Sequence, residues 1–335
     1  MTDIVIEPAT EAALVRRPGL PLIPETVIAV LGLGAFFLFP DDLTFLANIL
    51  VTGLFVLSLS LVLGQAGIAT LGHAAYFGVG GYAAGLFAIH MWADPLAGLL
   101  VGGVIGGLIA AASGLLLLRT HGLTFLMLTI ALLQVFHEVA NRAAKITGGD
   151  DGLSGITPSP VVGIFDFDLY GKTAYLYALA VLVVSYFILR KIVESPFGLV
   201  SRGIRSDRGR ISALGGNVYL HLLVVFTIGG VFAGFAGALS AQSAGVVGLN
   251  NLTFAFSGNA LVMLILGGSR KLPGALIGTV IFMVIQHIAA TINPYHWLLI
   301  IGVLLIVSVL VLPNGMVGLL DTAVAWLKRR GGTHG

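Results

Sequence analysis

The sequence predicts an all-α polytopic membrane protein with about eight to ten transmembrane helices. Hydrophobic residues make up 57% of the 335 residues, charged residues only 10%, and the mean hydropathy is +1.03. A water-soluble protein of this size needs a much more polar surface, so the apolar excess is expected to face lipid. The chain has no cysteine, which excludes disulfides, thiol nucleophiles and cysteine-ligated metals.

Ten apolar segments approach the roughly 20 residues that a helix needs to cross hydrocarbon. They cover residues 26–39, 43–63, 73–90, 96–118, 123–141, 174–192, 218–239, 252–268, 272–292 and 295–312. The first and the eighth are short, so each either extends into its flanks or forms a re-entrant segment. Spans two to five and seven to ten start five spans apart, which reverses their orientation and is compatible with an inverted repeat.

The basic residues set the predicted orientation. With a cytoplasmic N-terminus and ten alternating spans, 14 of the 17 Lys and Arg residues lie inside, and only Arg142, Lys145 and Lys172 lie outside. This distribution follows the positive-inside rule. Residues 1–25 and 321–335 are then cytoplasmic tails of a transmembrane domain at 26–320. The first tail lacks a small-residue cleavage site, so we do not interpret it as a signal peptide.

Glycine is concentrated at places where helices are expected to meet closely. The segment 64–82 is glycine-rich, uncharged and flanked by apolar runs. Broken backbone at membrane depth is tolerated only where protein or a water-filled cavity surrounds it, so this segment predicts pathway lining or a tightly packed helix start. Gly-x-x-x-Gly pairs that begin at Gly102, Gly103, Gly230 and Gly274 predict close-packed helix faces.

The longer inner connection, 194–217, predicts a short amphipathic helix between Ser195-Pro196 and Gly215-Gly216. It carries four arginines: Arg202, Arg205, Arg208 and Arg210. Such a helix either anchors on anionic headgroups or docks in a groove of a cytoplasmic partner, and charge alone does not separate the two.

The outer connection, 141–173, contains a turn-rich stretch at 147–156. Asp150 and Asp151 lie in it, but their spacing is not that of a calcium loop. We therefore expect a structured turn here rather than a metal site.

Polar side chains within spans are costly, and each needs either a hydrogen-bonding partner or a functional role. They are Gln65, Thr70, His73, Thr124, Thr129, Gln134, His137, Glu138, Ser257, Asn259, Gln286 and His287. We take Gln65, His73, Gln134, Ser257 and Asn259 as candidate residues of a substrate pathway. The histidines lack metal-ligand spacing, and no serine–histidine–acid set is evident, so no catalytic residue, metal or cofactor is predicted.

A series of short motifs resembles one family. Leu63-Gly-Gln-Ala-Gly, Leu71-Gly-His-Ala-Ala-Tyr-Phe-Gly, Thr147-Gly-Gly-Asp-Asp-Gly-Leu-Ser-Gly, Ser195-Pro-Phe-Gly and Arg202-Gly-Ile-Arg occur in order. Later motifs begin at Phe235, Leu266 and Pro273. Together they are similar to the permease subunit of branched-chain amino acid ABC importers, the LivM type, over roughly residues 43–320.

The resemblance implies a non-enzymatic permease subunit in a bacterial inner membrane, with both termini cytoplasmic. Its implied partners are a second, homologous permease, two cytoplasmic ATPase subunits, a periplasmic solute-binding protein and membrane lipid, without nucleic acid. Segment 194–217 would be the coupling loop. Two positions depart from the family pattern, since relatives tend to carry an acidic residue near Arg208-Gly209 and a glutamate where this chain has Gln134.

Two other function classes stay open at this point. An ion-coupled secondary transporter of small organic solutes would want a charged residue at mid-membrane, and none is evident in the sequence. An intramembrane enzyme would need a reactive cluster, which the sequence also lacks. The expected substrates are hydrophobic amino acids or related small carboxylates, and the sequence does not name one.

Overall fold

The computed structural model describes residues 23–160 and 171–292, together with Phe165, Gly302 and Met316. The described part is almost entirely helical. Its helices are α1 (Ile23–Leu38), α2 (Leu43–Leu59), α3 (Ala74–His90), α4 (Pro95–Leu117), α5 (Leu123–Arg142), α6 (Ala144–Thr147), α7 (Lys172–Glu194), α8 (Pro196–Ser206), α9 (Arg208–Ala213), α10 (Val218–Ala244), α11 (Phe254–Gly267) and α12 (Leu272–Ile292).

Nine of the ten predicted spans coincide with described helices. Six helices of the described part are long and apolar enough to cross a membrane, and α1 and α11 are shorter apolar helices, as expected for the first and eighth spans. The predicted polytopic helical fold is therefore confirmed. The tenth span, 295–312, lies outside the described residues except for Gly302, and so do residues 1–22 of the predicted tail 1–25 and the whole tail 321–335. Residues 23–25 of the first tail belong to α1. The inverted repeat needs the tenth span and stays a prediction.

Helices α3, α4 and α10 form the closely packed centre of the molecule. A Cβ added at Gly106 would lie 2.8 Å from the carbonyl oxygen of Gly230, and one at Gly80 would lie 2.5 Å from the Cα of Gly234. A Cβ at Gly234 or Gly237 would overlap the backbone carbonyl of a neighbouring helix. Backbones approach this closely only where side chains are absent, which confirms the predicted glycine faces.

The turn-rich stretch 147–156 of the outer connection is structured, as predicted, and it supplies one strand of a small sheet that helical periodicity does not reveal. Gly149–Asp151 forms a single 3-10 turn, and β1 (Leu153–Ser154) pairs antiparallel with β2 (Val246–Val247), which follows α10. A short 3-10 turn, Leu249–Leu252, then leads into α11. Each strand has two residues, so no alternating pattern is long enough to detect in the sequence.

Candidate coupling and translocation site

The glycine-rich segment forms a break between two helices, which we call the glycine junction (residues 60–73). Helix α2 ends in a π-helical turn, Ser60–Gln65, and residues 66–73 are not helical before α3 begins. Side chains from distant helices satisfy the freed backbone: Leu71 N–H donates to Thr129 Oγ1 at 3.3 Å, and Ala74 N–H donates to Ser257 Oγ at 2.9 Å. The junction is thus a tightly packed helix start.

His73 is buried in this junction, with 1% of its surface exposed. Ser58 Oγ donates its single proton to the carbonyl oxygen of Phe55 at 2.6 Å, so it accepts from His73 Nε2 at 2.9 Å. The imidazole therefore carries its proton on Nε2, and Nδ1 has no hydrogen-bonding partner among the described residues. The ring stacks on Phe55 at a centroid distance of 5.5 Å. His73 makes its contacts within the helix bundle.

Gln65 is also buried, and its Nε2 donates to the carbonyl oxygen of Arg270 at 3.2 Å. Arg270 lies in the turn between α11 and α12. A Cβ at Gly64 would overlap the carbonyl oxygen of Ser269 in the same turn, so glycine permits this approach. The end of α2 is therefore fastened to the α11–α12 turn by backbone and amide contacts.

The inner connection forms two helices, where the sequence predicted one. Helix α8 has Pro196 at its start, and Asp207 ends it in an extended conformation. Asp207 then caps α9, because its Oδ1 accepts from Arg210 N–H at 3.0 Å. The single-helix prediction missed that Asp207 favours a helix cap over a helix interior.

Two of the four arginines fasten α8 to the transmembrane helices. Arg202 Nη1 donates to the carbonyl oxygen of Val193 at 2.9 Å. Arg205 Nη1 donates to the carbonyl oxygen of Gly64 in the glycine junction. The side chain of Arg205 also packs on Gly67, whose φ of 71° suits glycine and where a Cβ would lie only 2.8 Å from Arg205 Cγ.

The environment of Arg205 is partly desolvated. Burial lowers the pKa of Arg205, and the positive charge of nearby Arg270 lowers it further. The guanidinium stays protonated because its normal pKa is very high. Its bond to Gly64 is therefore a charge-assisted hydrogen bond between α8 and the glycine junction.

The other two arginines are not held in this way. Arg210 lies 3.6 Å from Asp207 with 79% of its side chain exposed, and Arg208 makes no ion pair with the described residues. Leu199 and Leu214 add exposed apolar surface to the same connection, at 58% and 79% exposure. Arg208 is half-buried and lines a cleft with Gly67, Thr120 and Phe125. The exposed surface is therefore formed by Arg210, Leu199 and Leu214, and it combines basic and apolar groups.

Gln134 lies on the outward face of α5 and is exposed. It makes no hydrogen bond with the described residues. Its neighbours on this face include Met127 at 59%, Val135 at 57% and Val139 at 58% exposure. A primary amide at this position within a span needs a polar partner from outside the described fold.

Ser257 and Asn259 lie two residues apart on α11 but have different surroundings. Ser257 is buried and bonded to the start of α3, as described above. Asn259 lines a cavity between α2, α11 and α12, together with Thr52 and Gln286. The candidate pathway residues included Asn259 but neither Thr52 nor Gln286, although Gln286 is among the polar residues noted within spans. Met283 and Gln286 lie three residues apart, so both fall on one face of α12.

Comparison with known proteins identifies the family. A family described as "Branched-chain amino acid transport system / permease component" matches residues 43–309. The chain belongs to this family. Its members are transport components, and the match confirms both the resemblance and the multi-pass membrane fold.

Individual relatives agree with this membership. The chain is 27% identical over 290 residues to the high-affinity branched-chain amino acid transport system permease protein LivM of Escherichia coli K12, covering 78% of this chain and 66% of LivM. It is 30% identical over 141 residues to LivH of Salmonella typhimurium, covering 42% and 44%.

A more distant relative is the galactose/methyl galactoside import permease protein MglC of Escherichia coli K12, 28% identical over 177 residues and half of each chain. The chain thus spans just under two thirds of LivM and less of the other relatives. No solved structure matches the chain.

Proposed function

We propose that the chain is the membrane-spanning permease subunit of an ABC importer in a bacterial inner membrane. It translocates branched-chain or other hydrophobic amino acids, or related small carboxylates, delivered by a periplasmic binding protein. The observation that carries this proposal is the family match over residues 43–309. ATP is hydrolysed on two separate cytoplasmic ATPase subunits, and a second, homologous permease completes the pathway.

The connection 194–217 is the proposed coupling loop. Its exposed surface, formed by Arg210, Leu199 and Leu214 with the half-buried Arg208 at its edge, is the part that contacts an ATPase subunit. Arg202 and Arg205 act on the other side of the loop, where they bond to Val193 and Gly64. A movement of α8 that follows ATP binding is thereby passed to the glycine junction.

The outward face of α5 is the proposed side of the pathway. Gln134 supports this, because an amide offers both a donor and an acceptor to a passing zwitterion and has no partner within the described fold. Asn259 is the second proposed pathway residue. Gln65, His73 and Ser257 are also candidates from the sequence. In this proposal they do not contact the solute but hold the glycine junction in place through their hydrogen bonds.

The energy source tests the proposal. In vesicles that contain the chain, its companion permease, the ATPase subunits and the binding protein, uptake should stop on ATP depletion and persist when ionophores collapse the ion gradients. Uptake that ignores ATP and follows an ion gradient would instead indicate the secondary transporter. A variant that lacks residues 204–213 should lose substrate-stimulated ATP hydrolysis. Arg142→Glu, on the predicted outer side of the membrane, should retain it.

A further inference from the structure

A cavity of about 220 Å³ lies between α2, α11 and α12. Three polar side chains line it, each from a different helix: Thr52 from α2, Asn259 from α11 and Gln286 from α12. Neither amide makes a hydrogen bond with the described residues. Unsatisfied amides at membrane depth are expensive, so these groups need water or a polar ligand in the cavity.

The remaining walls are apolar. Phe256 and Met263 lie three residues before and four residues after Asn259, on one face of α11. Phe55 of α2 stacks on Phe256 at a centroid distance of 5.0 Å. Met283 completes the wall from α12, and thioether side chains adapt to ligands of different shape. None of the described lining residues is charged.

This combination suits a small amphiphilic solute. At about 30 Å³ per water molecule, the cavity has room for roughly seven waters, or a solute of similar size. Two amides and a hydroxyl supply donors and acceptors for both ends of a zwitterion, while the aromatic and thioether walls accept an apolar side chain. A fully ionised solute without apolar groups would find no counter-charge there.

We propose that this cavity is an intramembrane binding site for the transported solute, a zwitterionic amino acid with an apolar side chain. Its ammonium and carboxylate groups bond to Asn259, Gln286 and Thr52, and its side chain lies against Phe256 and Met283, with the fully buried Phe55 stacked behind Phe256. The inference rests on the proposed function, and it adds a site within this chain to the pathway along α5.

The position of Phe55 connects this site to the glycine junction. One of its neighbours is Phe256 in the cavity wall, and another is His73, whose ring stacks on it at 5.5 Å. Ser58, one turn later on α2, holds His73 through Nε2. A solute in the cavity is therefore linked to α2 through Phe256 and Phe55. The π-helical turn that follows α2 is in turn bonded to Arg205 through the carbonyl oxygen of Gly64.

The natural absence of cysteine permits a direct test. Thr52→Cys and Asn259→Cys place single thiols in the cavity, and Val280→Cys, at a 46% exposed position of α12 outside the lining, is the matched control. Each variant is labelled with a small methanethiosulfonate in the reconstituted complex during ATP-driven turnover, with binding protein that is either loaded with leucine or empty.

Leucine should slow the labelling of both cavity thiols about threefold or more and leave Val280→Cys unchanged. Equal labelling with loaded and empty binding protein, in a complex that still takes up leucine, would overturn the site while leaving the proposed function intact. A complex that takes up no leucine at all would instead count against the proposed function. Thr52→Cys is nearly isosteric, so it tests the site even where Asn259→Cys assembles poorly.

Transport kinetics test the proposed site independently of thiol labelling. Asn259→Leu and Gln286→Leu should each raise the KM for leucine-loaded binding protein or lower the maximal uptake several-fold at unchanged protein stability. Val284→Leu, on an exposed part of α12, is the control. Normal uptake by both amide variants would overturn the site.

Discussion

Polar side chains at the centre and at the periphery of this bundle differ in their hydrogen-bonding partners. In the centre, around α3, α4 and the glycine junction, the side chains of Ser58, Thr129 and Ser257 are bonded to neighbouring helices or to the junction. At the periphery, Gln134, Asn259 and Gln286 have no hydrogen-bonding partner among the described residues. Burial alone does not provide a partner, since Ser60 Oγ and His73 Nδ1 in the glycine junction also lack one among the described residues. The contrast is that the bonded side chains of the centre join helices to one another, whereas the three peripheral amides are left for solutes or partner subunits.

The contrast in packing predicts the largest effect. A Cβ at Gly234 of α10 would overlap the carbonyl oxygen of Gly102 in α4, so Gly234→Ala should separate these helices and cost about 1–3 kcal/mol or more. We expect little folded protein by size-exclusion chromatography in detergent. Gly258→Ala on α11, where no atom lies within 4 Å of the added Cβ, should elute normally. If both variants lost folded protein to the same extent, the close packing at Gly234 would not explain the loss.

A second prediction separates the two sides of the coupling loop. Arg205→Ala removes a charge-assisted bond of about 1.5–3 kcal/mol to Gly64, so substrate-stimulated ATP hydrolysis should fall about tenfold while the ATPase subunits still bind with normal affinity. Arg210→Ala should do the opposite, weakening ATPase binding modestly and preserving stimulation in the bound complex. Reduced ATPase binding in Arg205→Ala would place this residue on the outward surface instead.

A third prediction concerns the exposed amide of α5. Gln134→Leu should keep expression and assembly but slow uptake several-fold, because it removes a polar group and no contact within the fold. Gln134→Glu should disfavour anionic substrates through like-charge repulsion at low dielectric. Uptake assays in vesicles with saturating binding protein measure both. If the two variants transport normally, the pathway lies along Asn259 rather than along α5.

The smallest effect is expected at the end of the same helix. Glu138 and Arg142 form an exposed i,i+4 ion pair at 2.6 Å, with 47% and 80% of their side chains exposed. Exposed pairs of this kind contribute little. Glu138→Gln should therefore change neither the melting temperature nor the uptake rate measurably, and a clear loss of transport would make Glu138 a functional residue.

Much of the bundle follows from composition and length alone. The apolar runs predict the positions of the helices well, because a span must be both long and uncharged. Nine predicted spans fall on described helices. The glycine faces follow from the Gly-x-x-x-Gly spacing. The β1–β2 pair could not be predicted, because it joins two-residue segments that lie more than 90 positions apart.

The candidate site was less predictable, because side-chain partners depend on which helices meet. Nothing local distinguishes Ser257 from Asn259, yet one caps α3 and the other faces a cavity. Arg205 and Arg210 are likewise similar in sequence context, but only Arg205 reaches the carbonyl of Gly64. Distances of this kind arise from contacts between residues far apart in the chain.

The most direct test of the account compares these two neighbours on α11. The melting temperature and the uptake rate per folded complex are measured in parallel for Ser257→Ala and Asn259→Ala. Loss of the cap should destabilise Ser257→Ala by about 1 kcal/mol and leave uptake unchanged, whereas Asn259→Ala should melt normally and transport several-fold more slowly. The same response from both variants would contradict the division between a bonded centre and a functional periphery.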